Sequence, residues 1–170
     1  MSAFALVAGH EFVHMRGWWS EFGNIPLINS GMSEILDEHI HNHHKNVGTP
    51  ADPATYELGS NFFLTVPGRV VRNNKGTFER YEHRIKEKHG FNSWMLTLTC
   101  NKYLFYKAIE AAIVFLVWFC FGYGGAVVQM WTMFYGHFWL EFLNYIEHYG
   151  LLRMKDKDGI YDPISYSDSW

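Results

Sequence analysis

Thirty consecutive positions, Ala111 to Leu140, carry no Asp, Glu, Lys or Arg. A helix crosses the hydrocarbon core of a bilayer with about 20 apolar residues, so this run constrains the fold more than any other feature of the chain. Gly122, Gly124 and Gly125 sit in its middle, where missing side chains permit a turn or a close helix contact. The pattern predicts two membrane-embedded helices, at about 104 to 121 and 124 to 148, packed as a hairpin. Lys102 and Lys107 can reach toward headgroups at one end. Glu110 and Glu141 are expected to face protein or water. Trp118, Trp131 and Trp139 are spread along the run, and aromatic residues make up 18% of the chain, which suits a protein that meets lipid better than a buried hairpin in a soluble core.

With 170 residues the chain can bury one core, so residues 1–170 are expected to form a single all-α domain. Its charges, 14 Lys and Arg against 17 Asp and Glu, are intermixed; even Arg84, Lys86 and Lys88 are interleaved with Glu82 and Glu87. That distribution argues against wrapping by nucleic acid. Cys100 and Cys120 form neither a disulfide framework nor a Cys-x-x-Cys pair, and both are expected to be reduced. The weakly apolar start, Met1 to Gly9, has no basic segment ahead of it and runs straight into histidines, so no cleaved signal is expected. Residues 1–48 read as helical, interrupted at Gly17, Gly23, Pro26 and Gly31. Residues 49–77, with Pro50, Pro53, Pro67, Gly59, Gly68 and Asn73-Asn74, read mainly as loop with room for a short helix. Residues 78–100 read as an interfacial or cytosolic helix, and the tail after Leu152 leaves the membrane.

The histidines carry the chemistry. His10 and His14 are four apart, a spacing that stacks two rings on one helical face and lets both approach one cation. His39 and His43 repeat the device, and His44 projects about 100° further round the helix, far enough to serve a second metal. Clustered sulfur is absent and imidazole suits iron, copper, nickel or zinc, so the implied site is nitrogen-rich. The zinc peptidase pattern His-Glu-x-x-His is also present at His10-Glu11-Phe12-Val13-His14, with Glu11 as general base, but that reading leaves the second cluster idle.

The segments His10 to His14, Glu38-His39-Ile40-His41-Asn42-His43-His44 and Asn144-Tyr145-Ile146-Glu147-His148-Tyr149-Gly150-Leu151-Leu152-Arg153 resemble the histidine boxes of the membrane-bound alkane hydroxylases, within the fatty acid desaturase and hydroxylase superfamily. The resemblance extends through Thr49-Pro50-Ala51-Asp52-Pro53 and the stretch from Asp156 to Trp170, nearly the whole chain. It implies a fragment of an integral membrane helical bundle, with a long apolar hairpin and histidine-bearing helices. It also implies a non-haem di-iron centre, hydroxylation of the terminal carbon of alkanes or fatty chains, and electrons from a rubredoxin-type donor. The implied ligands are His10, His14, His39, His43, His44 and His148, with Glu38, Glu147 and Asn144 orienting rings from behind. His41, His83, His89 and His137 lie outside the pattern and are expected to be surface or interfacial residues. The implied location is a bacterial inner membrane.

Two departures accompany the resemblance. The family carries a further box, Leu-Gln-Arg-His-Ser-Asp-His-His, with no counterpart before Trp170, and further helices ahead of the first box. The domain is therefore expected to be incomplete and three ligands short, which makes activity of this chain alone an open expectation. Met15 also follows the first box where the family usually has lysine. The alternative is a non-catalytic membrane subunit of a larger assembly, such as a respiratory complex of the mitochondrial inner membrane, that keeps the scaffold and relies on other membrane subunits to cover its polar faces.

Overall fold

The computed structural model describes residues 3–15, 17–91 and 93–165. Among these residues the chain is helical: α1 (Ala3–Val13), α2 (Trp18–Asn29), α3 (Ile35–Glu38), a π-helical turn (His39–His43), α4 (His44–Asn46), α5 (Phe62–His89), α6 (Trp94–Cys100) and α7 (Lys102–His148). The only β pairings among them are isolated bridges, Tyr56 with Tyr149 and Lys155 with Tyr161.

The apolar run lies in α7, which is broken where the glycines stand. Gly122 has φ 70° and ψ −166°, a conformation open essentially to glycine alone. The break reverses the chain. In an unbroken helix Lys107 and His137 would stand about 45 Å apart, yet Lys107 Nζ and His137 Nε2 lie 2.8 and 2.9 Å from the same carboxylate, that of Glu34. The two limbs are therefore antiparallel, as the hairpin expectation held, and each is long enough to cross a bilayer. Phe115, Leu116, Phe119, Phe121, Val128 and Trp131 are exposed along them, an outward face suited to hydrocarbon. Lys107 does not reach for headgroups. It is folded into the junction between Glu34 and Glu110, whose Oε2 is 2.9 Å away. Glu110 and Glu141 are buried and face protein: Ser33 N donates to Glu110, and Tyr56 and Asn73 donate to Glu141.

The sequence reading of 49–77 as loop is corrected from residue 62 onward. α5 starts at Phe62, capped by the Asn61 side chain accepting from Leu64 N, and runs through Pro67, Gly68 and Asn73-Asn74 to a left-handed stop at Gly90. Its helix breakers are outweighed by packing. Phe62 is buried among Tyr56, Phe138, Phe142 and Tyr145. The two asparagine side chains have tertiary partners: Asn73 donates to Glu141, and Asn74 accepts from Tyr103 Oη while its amide donates to Val70 O one turn back. Further along, Arg80 and Arg84 both reach the buried carboxylate of Asp37, which fixes α3 against α5.

At the other end, α1 and α2 meet through glycine. A Cβ on Gly23 would lie 2.6 Å from Phe12 Cβ and 2.8 Å from Gly9 O, so the helices approach to backbone contact. Gly23 thus serves packing inside α2, while Gly17 and Gly31, both with positive φ, flank that helix: Gly17 stands at its N-cap and Gly31 follows its C-cap, Ser30. Leu27, Met32 and Ile35 form a small buried cluster packed against Val13, Leu36 and Leu140, directly beneath the histidines.

Candidate metal centre

His10 is held on α1, and His14 follows in a turn closed by His14 N donating to Glu11 O at 3.2 Å. The π-helical turn supplies the rest. In α geometry residues five apart differ by about 140° around the axis, whereas widening the turn to i→i+5 bonding cuts that to about 50°. His39 therefore shares its face with both His43 and His44: its ring stacks on His43 at 5.2 Å, and its Nε2 lies 3.0 Å from that of His44. Spacing in an α-helix sets His44 about 100° further round than His43, far enough to serve a second metal; the widened turn instead brings its Nε2 beside that of His39, which the i, i+4 pattern does not reveal.

Three ring nitrogens converge on His39 Nε2: those of His10 at 2.7 Å, His44 at 3.0 Å and His14 at 3.1 Å. One imidazole nitrogen offers either one hydrogen or one lone pair, so hydrogen bonding cannot account for three such contacts. Separations near 3 Å are those of neighbouring nitrogens around one ion at about 2.1 Å from each. Burial above all, and then the neighbouring rings of His10, His43, His44 and His14, push the His39 pKa down to about 2. His10 and His44 are also lowered, again chiefly by burial. These rings are neutral and present lone pairs, as metal binding requires. His10, His14 and His39 each offer a ligand atom within 4.8 Å of the others. The donor set fits a nitrogen-preferring transition metal.

His43 and His148 form a second group beside the first, their ring centroids 5.0 Å apart. His148 is the last residue of α7, and the backbone that follows pairs with the loop after the π turn: Gly150 N donates to Tyr56 O and Arg153 N to Gly48 O. His43 Nδ1 lies 3.1 Å from Asp52 Oδ2. Burial disfavours the charged ring, but the hydrogen bond and charge of Asp52 outweigh it and hold His43 above its ordinary value. That contact places the ring proton on Nδ1 and leaves Nε2 for a ligand bond, the usual carboxylate–histidine arrangement at metal sites. Asp52 is fully buried and also accepts from Thr55 Oγ1 and Ala54 N.

Of the three residues expected to orient rings, Glu38 is buried and accepts from Asn42 Nδ2 at 2.7 Å; burial, joined by the charge of Asp52, holds its carboxyl above its ordinary value. Glu147 Oε2 lies 3.9 Å from His148 Nε2, and Asn144 lines the adjacent cavity. Sequence reasoning missed Asp52, although its signal was present: a carboxylate nine residues after His43, between prolines. It also misplaced His137, which is paired with the buried Glu34 and not with solvent or headgroups. His41 and His83 do face outward, beside Asp37 and Glu87. The His-Glu-x-x-His pair does not stand alone as a peptidase site would have it, because His39 and His44 share its space while Glu11 is exposed.

A cavity of 260 Å³ opens from His10, His39 and His43 and is walled by Leu27, Met32, Ile35, Leu140 and Leu143, with Glu11, Asn144 and Glu147 also lining it. A family model described as fatty acid desaturase matches residues 1–170. The chain belongs to the fatty acid desaturase family. It is 32% identical to the alkane 1-monooxygenase of Acinetobacter baylyi over 100% of this chain and 41% of that protein. It is also 32% identical to an alkane 1-monooxygenase of Pseudomonas putida over 100% of this chain and 42% of that protein. The xylene/toluene monooxygenase hydroxylase component of Pseudomonas putida is 26% identical over 97% of this chain and 42% of its own length. The chain thus spans about two fifths of the length of the curated relatives it matches. As a family member it is a helical membrane protein with one long apolar hairpin and histidine-bearing helical segments beside it.

Proposed function

We propose that this chain carries six ligands of a non-haem di-iron centre in a monooxygenase of the bacterial inner membrane that hydroxylates the terminal carbon of alkanes or fatty chains. The observation that carries the reading is the convergence of three imidazole nitrogens on His39 Nε2 at the mouth of an apolar cavity. His10, His14, His39 and His44 would form one half of the centre, and His43 and His148 would contribute to the other. An alkyl C–H bond offers neither a dipole nor an acidic proton to a side chain, so the bound iron supplies the oxidising chemistry with oxygen and two electrons. The chain's own residues bind, orient and exclude. Leu27, Met32, Ile35, Leu140 and Leu143 keep water from the reacting carbon and favour a hydrocarbon chain. Asp52 holds a proton on His43 Nδ1, and Glu147 and Asn144 lie where they would steady His148 and the cavity mouth. Electrons would come from a rubredoxin-type donor, consistent with relatives named as monooxygenases. Those names do not favour the non-catalytic subunit reading.

The test is elemental analysis of the detergent-purified protein, followed by incubation with an n-alkane, oxygen and a reduced rubredoxin-type donor. Two irons per chain with formation of a primary alcohol supports the full reading. Zinc alone, or no metal after anaerobic loading with ferrous iron, overturns it.

A further inference from the structure

We propose that Arg153 is a positioning residue that sets the separation between His148 and the histidines of the π-helical turn, an inference that rests on the metal reading above. Of the six histidines, His148 alone is carried by α7; the others lie on α1, just after it, or between His39 and His44. A centre using both groups needs the end of α7 fixed against the segment that follows His44. Arg153 makes that connection with its backbone and its side chain together. Its N donates to Gly48 O at 2.8 Å, its Nη1 donates to Val47 O at 3.2 Å, and its Nε donates to Asp162 O at 2.7 Å. The stem lies on the bare Cα of Gly48, where a Cβ would come within 2.9 Å of Arg153 Cγ and 3.0 Å of Cδ. Gly48 is buried with φ +75°, so the glycine admits both the turn and the arginine.

The guanidinium is itself braced. Residues 154–162 fold back as a short hairpin, with Asp162 N donating to Met154 O and Lys155 bridged to Tyr161, and this holds the Asp162 carbonyl under Nε. A planar fork can serve two carbonyls at once, one on each side, which a single ammonium cannot do in the same geometry. The clamp acts through the spacing of the two backbones, Val47-Gly48 on one side and the segment after His148 on the other.

The experiment is a double-mutant cycle on anaerobic Fe(II) affinity, measured by chelator competition with the detergent-purified protein: wild type, Arg153→Ala, His148→Ala and the double variant. Arg153→Ala is expected to weaken Fe(II) binding about tenfold, the lower end for outer partners of metal ligands, because the backbone bond to Gly48 O survives. In the His148→Ala background the same change is expected to have no further effect, since the ligand it places is gone. Wild-type affinity in Arg153→Ala, or an equal loss in both backgrounds, overturns the inference while leaving the metal reading intact. A wild-type protein that takes up no iron defeats the metal reading and this inference with it. If Arg153→Ala does not accumulate, Arg153→Lys keeps the stem against Gly48 and is taken through the same cycle with the same two outcomes.

Discussion

Replacing Asp52 with Asn changes one atom and removes one charge at the most buried carboxylate beside the site. Asp52 accepts three hydrogen bonds: Oδ2 from Thr55 Oγ1 at 2.7 Å and from His43 Nδ1 at 3.1 Å, and Oδ1 from Ala54 N at 3.0 Å. An amide cannot satisfy all three donors. With its oxygen toward Ala54, its NH₂ faces His43 and Thr55; turned round, the NH₂ faces the Ala54 N–H. Either way a buried donor is stranded, a cost of about 1 to 3 kcal/mol. The lost orientation of His43 is expected to lower Fe(II) affinity by about 10- to 100-fold. The apoprotein provides an independent reading through pH. The Asp52 pKa is lowered from its ordinary 3.8, where burial opposes but the His43 hydrogen bond and charge prevail, and that of His43 is raised from 6.5. A lowered carboxylate contributes stability above 3.8 that is lost as pH falls through its folded value, and a raised imidazole contributes stability below 6.5 that is lost as pH rises through its folded value. The pair therefore contributes most between pH 3.8 and 6.5, and the difference in melting temperature between wild-type and Asp52→Asn apoprotein should peak in that window. A difference that is flat with pH, together with wild-type iron affinity, refutes the assignment of Asp52 as the partner of His43.

Gly122→Ala forces a side chain into a conformation that costs about 1 to 3 kcal/mol and should lower the melting temperature in detergent, whereas Gly124→Ala, with open space around its Cβ position, should be neutral or stabilising by up to about 1 kcal/mol. Glu34→Gln leaves His137 facing a neutral group and Lys107 with Glu110 as its carboxylate partner, and should destabilise the protein by about 1 to 3 kcal/mol, measured by thermal or denaturant unfolding. The Glu34 pKa lies at about 2, where burial opposes and the His137 bond and charge prevail, against an ordinary 4.5; its contribution is thus complete above 4.5 and disappears as pH falls toward 2. His137→Ala should destabilise through the same junction, while His83→Ala, at an exposed i, i+4 pair with Glu87, should change the melting point little.

The hairpin was legible because a charge-free run and three glycines are local statements, and the Gly122 reversal falls where those glycines stand. The two His pairs were legible for the same reason: spacing of three or four residues maps directly onto a helical face. What escaped the sequence depends on partners far along the chain. Helix α5 survives Pro67 and two asparagines because Glu141 and Tyr103 engage the asparagine side chains and aromatic rings enclose Phe62, none of which is visible within 62–74. His137 looked like an interfacial histidine because its partner, Glu34, lies 103 residues away. The π turn leaves the composition of the box unchanged and alters only its pitch, so the convergence of His44 on His39 required coordinates. Asp52 stood in a noted motif without a role, since its meaning comes from the ring of His43.

On the proposed reading, imidazoles from α1, the π turn and the end of α7 surround transition-metal ions. Iron K-edge X-ray absorption on the anaerobically loaded protein tests it most directly. The expected spectrum has a first shell dominated by nitrogen at about 2.1 Å with the outer-shell scattering of several imidazole rings, and His39→Ala should lose most of the bound iron. Iron bound with no imidazole scattering, or unchanged by removal of His39, contradicts it.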